Sequence, residues 1–217
     1  IHTGDTDTKI KFPAADTITA ETAGSERLRI LSDGKILIGG GSSRSVGWEN
    51  LIQIEGTNTS NLHSVSIVAN RANAFGNDIN FAKSRGSSLG SSTIVQDNDE
   101  LGQIAFRGAD GTDINTLGAV IVARVDGSPA SNNIPGSFEF YTGGYNKRLI
   151  INSSGHVVPG TDSNYDLGLT GTRFRNVYAD TLYGDGSNLT GITQTTINSN
   201  ADNRIITGSG TANTLNA

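Results

Sequence analysis

The sequence has no cysteine and no methionine, and its 217 residues include only four prolines and one tryptophan. Without thiols there is no disulfide framework and no thiolate metal site, so stability has to come from packing and backbone pairing. Aromatics supply 6% of the residues and the whole hydrophobic set 35%, few large core-forming side chains for this length. No apolar run approaches the roughly 20 residues of a membrane-spanning helix, which predicts no membrane insertion. A basic stripe is missing too. The net charge is −5, whereas nucleic-acid backbones are held by clustered Lys and Arg, so no nucleic-acid partner is expected. The chain opens Ile1-His2-Thr3 with neither a basic nor an apolar leader region, so no signal peptide is expected and the sequence reads as part of a longer chain.

What fills the space is glycine, 28 of them, with Ser, Thr, Asn and Asp. Such a composition fits either a disordered chain or a thin fold whose core is completed by other subunits. Disorder goes with high net charge and few β-branched residues. Here Ile, Val and Thr are abundant and the charge is small, which favours the thin, oligomeric fold.

Helical periodicity is nearly absent. Alternation at period 2, interrupted by turn residues about every ten positions, predicts an all-β chain. The expected strands are Lys9–Phe12, Arg27–Leu31, Lys35–Ile38, Leu51–Glu55, Ser64–Ala69, Asp78–Ala82, Gly102–Arg107, Ala119–Val125, Ser137–Tyr141, Arg148–Asn152 and His156–Val158. Ile104 and Phe106 fall on one face, with Gln103, Ala105 and Arg107 on the other. Strands of this kind bury one side. Asp33-Gly34 and Ser154-Gly155 sit between apolar strands, where a tight turn needs positive φ, and predict hairpins.

A repeat is visible. Arg27-Leu28-Arg29-Ile30-Leu31-Ser32-Asp33-Gly34-Lys35-Ile36-Leu37-Ile38-Gly39 aligns without gaps onto Arg148-Leu149-Ile150-Ile151-Asn152-Ser153-Ser154-Gly155-His156-Val157-Val158-Pro159-Gly160. A shorter echo runs Arg204–Gly210. Units this short cannot cover their own apolar face and need neighbours. Leu28, Ile30, Leu149 and Ile151 are therefore expected to be buried near a shared axis, with Arg27 and Arg148 outward or paired with carboxylates. Three modules are expected: 1–47, a hairpin module; 48–144, a larger β module; and 145–217, the second hairpin followed by a sparse tail.

Several phrases resemble modules of tail fibre proteins from marine cyanophages and related tailed phages. They are Phe12-Pro13-Ala14-Ala15-Asp16-Thr17, Glu21-Thr22-Ala23-Gly24-Ser25-Glu26-Arg27-Leu28, Phe106-Arg107-Gly108-Ala109-Asp110-Gly111-Thr112, Asn164-Tyr165-Asp166-Leu167-Gly168 and Gly184-Asp185-Gly186-Ser187-Asn188-Leu189-Thr190-Gly191-Ile192. The resemblance implies a virion tail fibre segment, outside the host cell, built as an elongated, intertwined homotrimer that supports host-surface attachment. A host glycan or receptor would meet the distal parts. Such fibres often end in a self-cleaving chaperone domain, and no segment here resembles one.

Candidate chemistry is thin. His2, His63 and His156 are the three histidines, none at metal-binding spacing. Asp97, Asp99 and Glu100 form the densest acidic cluster, and paired carboxylates across a sugar are what glycoside cleavage requires. Asp110-Gly111-Thr112-Asp113 faintly resembles a cation loop but lacks the full ligand spacing. Gly39-Gly40-Gly41-Ser42 lacks the Lys of a phosphate loop. Asn58-Thr59-Ser60, Asn152-Ser153-Ser154 and Asn188-Leu189-Thr190 match glycosylation sequons by composition alone. No catalytic, cofactor or metal residue is assigned, and the expectation is a structural, non-enzymatic fibre segment. The alternatives are a polysaccharide-depolymerising tailspike and a bacterial extracellular filament or adhesin module.

Overall fold

A computed structural model describes residues 3–39, 41–57 and 65–184, together with the backbone at 207–208 and 215–216. It divides into two compact units, residues 1–167 and 168–217. All regular structure among the described residues is β.

In the first unit one sheet takes β1 (Lys9–Lys11), β2 (Ile18–Thr22), β3 (Ser25–Ile30), β4 (Ile36–Ile38) and β5 (Ile52–Ile54) in chain order. β1 to β4 pair antiparallel, and β5 joins β4 in parallel. A second sheet takes β6 (Glu100–Gly108), β7 (Thr116–Val125), β8 (Gly136–Thr142), β9 (Asn146–Ile151) and β10 (Val157–Pro159) as an antiparallel meander. In the second unit, β11 (Thr207–Gly208) pairs with β12 (Leu215–Asn216).

The sequence repeat is a structural repeat. Gly34 and Gly155 sit at φ 83° and 82°, a backbone region that side chains with a Cβ resist. In the first copy Leu31 N–H bonds Lys35 O and Gly34 N–H bonds Leu31 O, and Asn152, His156 and Gly155 reproduce the pair. Arg27 and Arg148 each fall at a register slip against β2 and β8. Both side chains donate to threonine, Arg27 to Thr22 Oγ1 and Arg148 to Thr142 Oγ1. Of the two expectations, outward or paired with a carboxylate, Arg27 meets the first and is exposed, while Arg148 is half-buried and bonded to hydroxyls. Arg148 also donates to the Tyr165 hydroxyl and lies over its ring.

β2 is the strand that apolar alternation passes over. Its covered positions are Thr17, at the threshold of the strand, and Thr19, 7% and 1% exposed, so its inward face does not look apolar. Two expected strands are corrected. The described part of Ser64–Ala69, and all of Asp78–Ala82, run outside any sheet. Their alternation is real, yet the chain offers them no partner strand, and an unpaired strand does not persist alone. The Arg204–Gly210 echo lies mostly outside the described residues.

Among the described residues a polar knot ties the two sheets within their unit. Gly47 N–H donates to Asn115 Oδ1 at 2.6 Å, and Arg107 donates to the Asn115 carbonyl. Gly47 lies against the Arg107 guanidinium so closely that a Cβ there would stand 2.6 Å from it.

Candidate functional site

The residues singled out for chemistry turn out to be fasteners. Asp99 accepts both arms of the Arg85 guanidinium at 2.7 and 2.8 Å and the Gln96 N–H at 2.9 Å. Those bonds, Arg85 first, hold its carboxyl well below the usual range. Asp97 accepts the Gly127 N–H at 2.8 Å and the Asn98 side-chain amide at 3.1 Å. Glu100 lies 3.9 Å from the Arg124 guanidinium. A general acid for glycoside cleavage needs a raised pKa, and Asp99 has moved the other way. The cluster closes the 96–99 turn onto the end of β7, where Asn98 N–H bonds Val125 O and Val125 N–H bonds Asp99 O.

Asp110 is likewise engaged. Its carboxylate takes the Thr116 hydroxyl and the N–H groups of Thr112 and Asp113, and these bonds lower its pKa to about 2. Among the described residues no three His, Asp or Glu side chains converge as a metal would need. His156 is exposed on the turn entering β10, while His2 and His63 lie outside the described residues. So do Gly40 of the glycine stretch and the sequons at 58–60 and 188–190.

A cluster that sequence inspection missed lies on the covered face of the second sheet. Glu139, 5% exposed, accepts hydrogen bonds from Arg124 Nε (3.1 Å), Lys147 Nζ (2.5 Å) and the Tyr141 hydroxyl (2.5 Å). Burial alone would raise the Glu139 pKa, and the bonds from Lys147, Tyr141 and Arg124 together outweigh it and hold the pKa low. Burial and the Glu139 charge both push the Tyr141 pKa up. The signal was available in the alternation. Ser137, Glu139 and Tyr141 share one face of β8, opposite Phe138 and Phe140.

The apolar rows of the two sheets form exposed surfaces. Cross-strand register lines up Ile10, Ala20, Leu28, Ile38 and Ile54 in one row of the first sheet, and Ile18, Ile30, Ile36 and Ile52 in the next. In the second sheet the rows are Ile104, Ile121, Phe140, Leu149 and Pro159, then Gly102, Ala123, Phe138, Ile151 and Val157. Both faces are open. Ile52 is 58% exposed, Ile104 51%, Phe106 57% and Phe138 54%. In the single chain Leu28, Ile30 and Ile151 are half-buried and Leu149 is exposed. The opposite faces carry the covered residues Thr19, Leu37, Val120, Val122, Glu139 and Tyr141.

Among the described residues six hydrophobic side chains are buried and thirty large ones are exposed. Scattered surface apolar residues are ordinary, but whole rows on a sheet face mark an interaction surface. Fold and surface together give an all-β unit with one open apolar face on each of its two five-stranded sheets.

Comparison with known proteins agrees at the level of fold. The chain is similar to the carboxy-terminal domain of the bacteriophage T5 L-shaped tail fibre, with a TM-score of 0.60 and 14% identity over 78% of this chain and 74% of that one. It is also similar to the same T5 domain solved with its intramolecular chaperone domain, with a TM-score of 0.60 and 13% identity over 93% of this chain and 57% of that one. No family model matches, and no curated protein matches by sequence. At this identity the likeness is one of fold, and the fold is that of a phage tail fibre domain.

Proposed function

We propose that this chain is a structural segment of a tailed-phage fibre, three copies of which close their apolar sheet faces against one another. The observation that carries this reading is the pair of open faces, joined to a fold shared with a tail fibre domain. Burying one exposed Ile or Phe is worth about 1.5–3 kcal/mol, so rows of them left in water cost more than the few kcal/mol by which a domain is stable. Three copies also cover sheet edges that would otherwise invite aggregation. The role is mechanical: a shaft or joint in the virion, outside the host cell, that supports attachment while distal parts meet the host glycan or receptor. Phrases such as Phe12-Pro13-Ala14-Ala15-Asp16-Thr17 favour a fibre of the marine cyanophage type. The engaged carboxylates at Asp97, Asp99 and Asp110 favour a non-enzymatic role over a depolymerase.

The test is a charge placed on the open face. Leu149→Asp puts a carboxylate at a position 39% exposed in the single chain and dry once another copy covers it. The cost therefore falls on assembly, where an unpaired buried charge is expensive. The expected result is loss of the multi-chain species on size exclusion together with a melting temperature below that of the parent. Leu149→Asp that assembles and melts like the parent contradicts the placement.

A further inference from the structure

Residues 65–82 lie outside any sheet, bend at 72–74, where the Phe75 N–H donates to Asn73 Oδ1, and within the described structure form no backbone-to-backbone hydrogen bond. They nonetheless carry a dense apolar load: Val65 (69% exposed), Ile67 (52%), Val68 (76%), Phe75 (75%), Ile79 (71%) and Phe81 (57%). A polar loop gives no reason for that load. A strand whose partner lies elsewhere does, because main-chain groups that become buried must be paired.

The C-terminal end of this segment is anchored in its own chain. Phe81 lies over Gly102 at the start of β6, so closely that a Cβ on Gly102 would stand 2.6 Å from Phe81 Cβ. Ile79 and Phe81 border a groove of about 310 Å³ with Gly102, Ile104, Ile121 and Phe138, the open apolar face itself. Directly after, the Arg85–Asp99 ion pair and the Arg85 N–H to Thr93 O bond fix the chain. Upstream of Ile79 the apolar side chains of Val65, Ile67, Val68 and Phe75 are all exposed. On the receiving side, β6 forms the outer edge of the second sheet over nine residues. Only Glu100 and Arg107 place charge on it, and an edge so lightly guarded accepts another strand readily.

We infer that residues 65–78 form a crossing strand, which leaves its own chain at Ile79 and lies on the β6 edge and open apolar face of a second copy of this chain. The inference rests on the multi-chain reading above. A second copy is the partner because exposed apolar residues recur in both sheets, from Ile10 to Val157. A covering molecule must offer apolar rows over the same span, and an in-register copy does. Val68 and Phe75 fill the neighbour's face beside Ile104, Phe106 and Phe138, while Ile79 and Phe81 stay seated at home.

Photocrosslinking on the full chain tests this. p-Benzoylphenylalanine replaces Val68 or Phe75 in separate samples, with a control probe at Asn132, an exposed turn residue at φ 57°. Light scattering is run on each sample before irradiation. The expected result is covalent two- and three-chain bands on a denaturing gel from the probes at 68 and 75 and none from 132. Peptide mapping of those bands is expected to link the probe to residues 100–108 or 138–151. Single-chain bands alone from samples that scatter as multi-chain particles overturn the crossing strand and leave the assembly standing. Links that map outside the second sheet overturn it as well. Scattering at the mass of one chain overturns the assembly and the crossing strand together.

Discussion

Glu139→Gln perturbs the best-defined polar feature of the chain while almost preserving its shape. The parent carboxylate, 5% exposed, is bonded by Arg124, Lys147 and Tyr141. Breaking a buried ion pair by removing one partner costs about 3–5 kcal/mol. Two features place this case at the low end. The Arg124 and Lys147 side chains are 26% and 33% exposed, so water relieves them in part, and Arg124 keeps its 2.9 Å bond to the Asn98 carbonyl. A loss of about 3 kcal/mol follows, on the order of 6–12 °C in melting temperature for a unit of 150–250 residues. The sign of the pH dependence is fixed. The Glu139 pKa is lowered from its ordinary 4.5, so its stabilisation is complete above about pH 4.5 and disappears as pH falls through the folded value. Arg124 and Lys147 keep their charge throughout that window. The assay is denaturant unfolding of parent and variant at one fixed chain concentration, from pH 7 down to pH 2.5. The gap between them is expected to be widest at pH 7 and to shrink in acid. A variant within about 0.5 kcal/mol of the parent at pH 7, or a gap that does not change with pH, refutes the reasoning.

Three further substitutions follow from the same geometry. Thr19 is 1% exposed and its hydroxyl has no hydrogen-bond partner among the described residues, so Thr19→Val is expected to raise stability by about 1 kcal/mol in chemical denaturation; a loss of that size would mean the hydroxyl is satisfied. Gly102→Val drives a side chain into Phe81 and is expected to cost about 1–3 kcal/mol, with faster hydrogen exchange across 78–84 as its signature. Asp99→Asn removes the charge and one of the two acceptor oxygens of the Arg85 fork, so exchange in residues 84–99 is expected to speed up; parent and variant alike are expected to release no new reducing ends from host polysaccharide. Turnover by the parent that vanishes in Asp99→Asn would promote the depolymerase reading.

The strands with apolar alternation were legible because period 2 and a flanking Asp-Gly or Ser-Gly fix both face and turn, as in β3–β4 and β9–β10. β2 was not, because Thr17 and Thr19 fill its covered face with hydroxyl-bearing side chains. Asp78–Ala82 was misassigned for the opposite reason: alternation reports which side faces an apolar surface, not whether that surface belongs to the same chain. The boundary suggested at 144/145 falls in the turn at Gly143-Gly144, across which β8 and β9 continue to pair. The Glu139 cluster escaped notice because its members are up to 23 residues apart, and only strand register brings Arg124 and Lys147 beside one carboxylate. The open faces were legible as one-sided strands. The single chain covers the mixed face, and the purely apolar one stays open.

The most direct measurement is the absolute mass of the full chain in solution, by multi-angle light scattering over a range of micromolar concentrations, paired with thermal melting on the same samples. Closure of the apolar faces by other copies predicts a particle of three times the 22.6 kDa chain mass. It also predicts that the midpoint rises with concentration, since mass action couples folding to assembly. A well-folded particle of one chain mass, melting cooperatively at a midpoint independent of concentration, would contradict it.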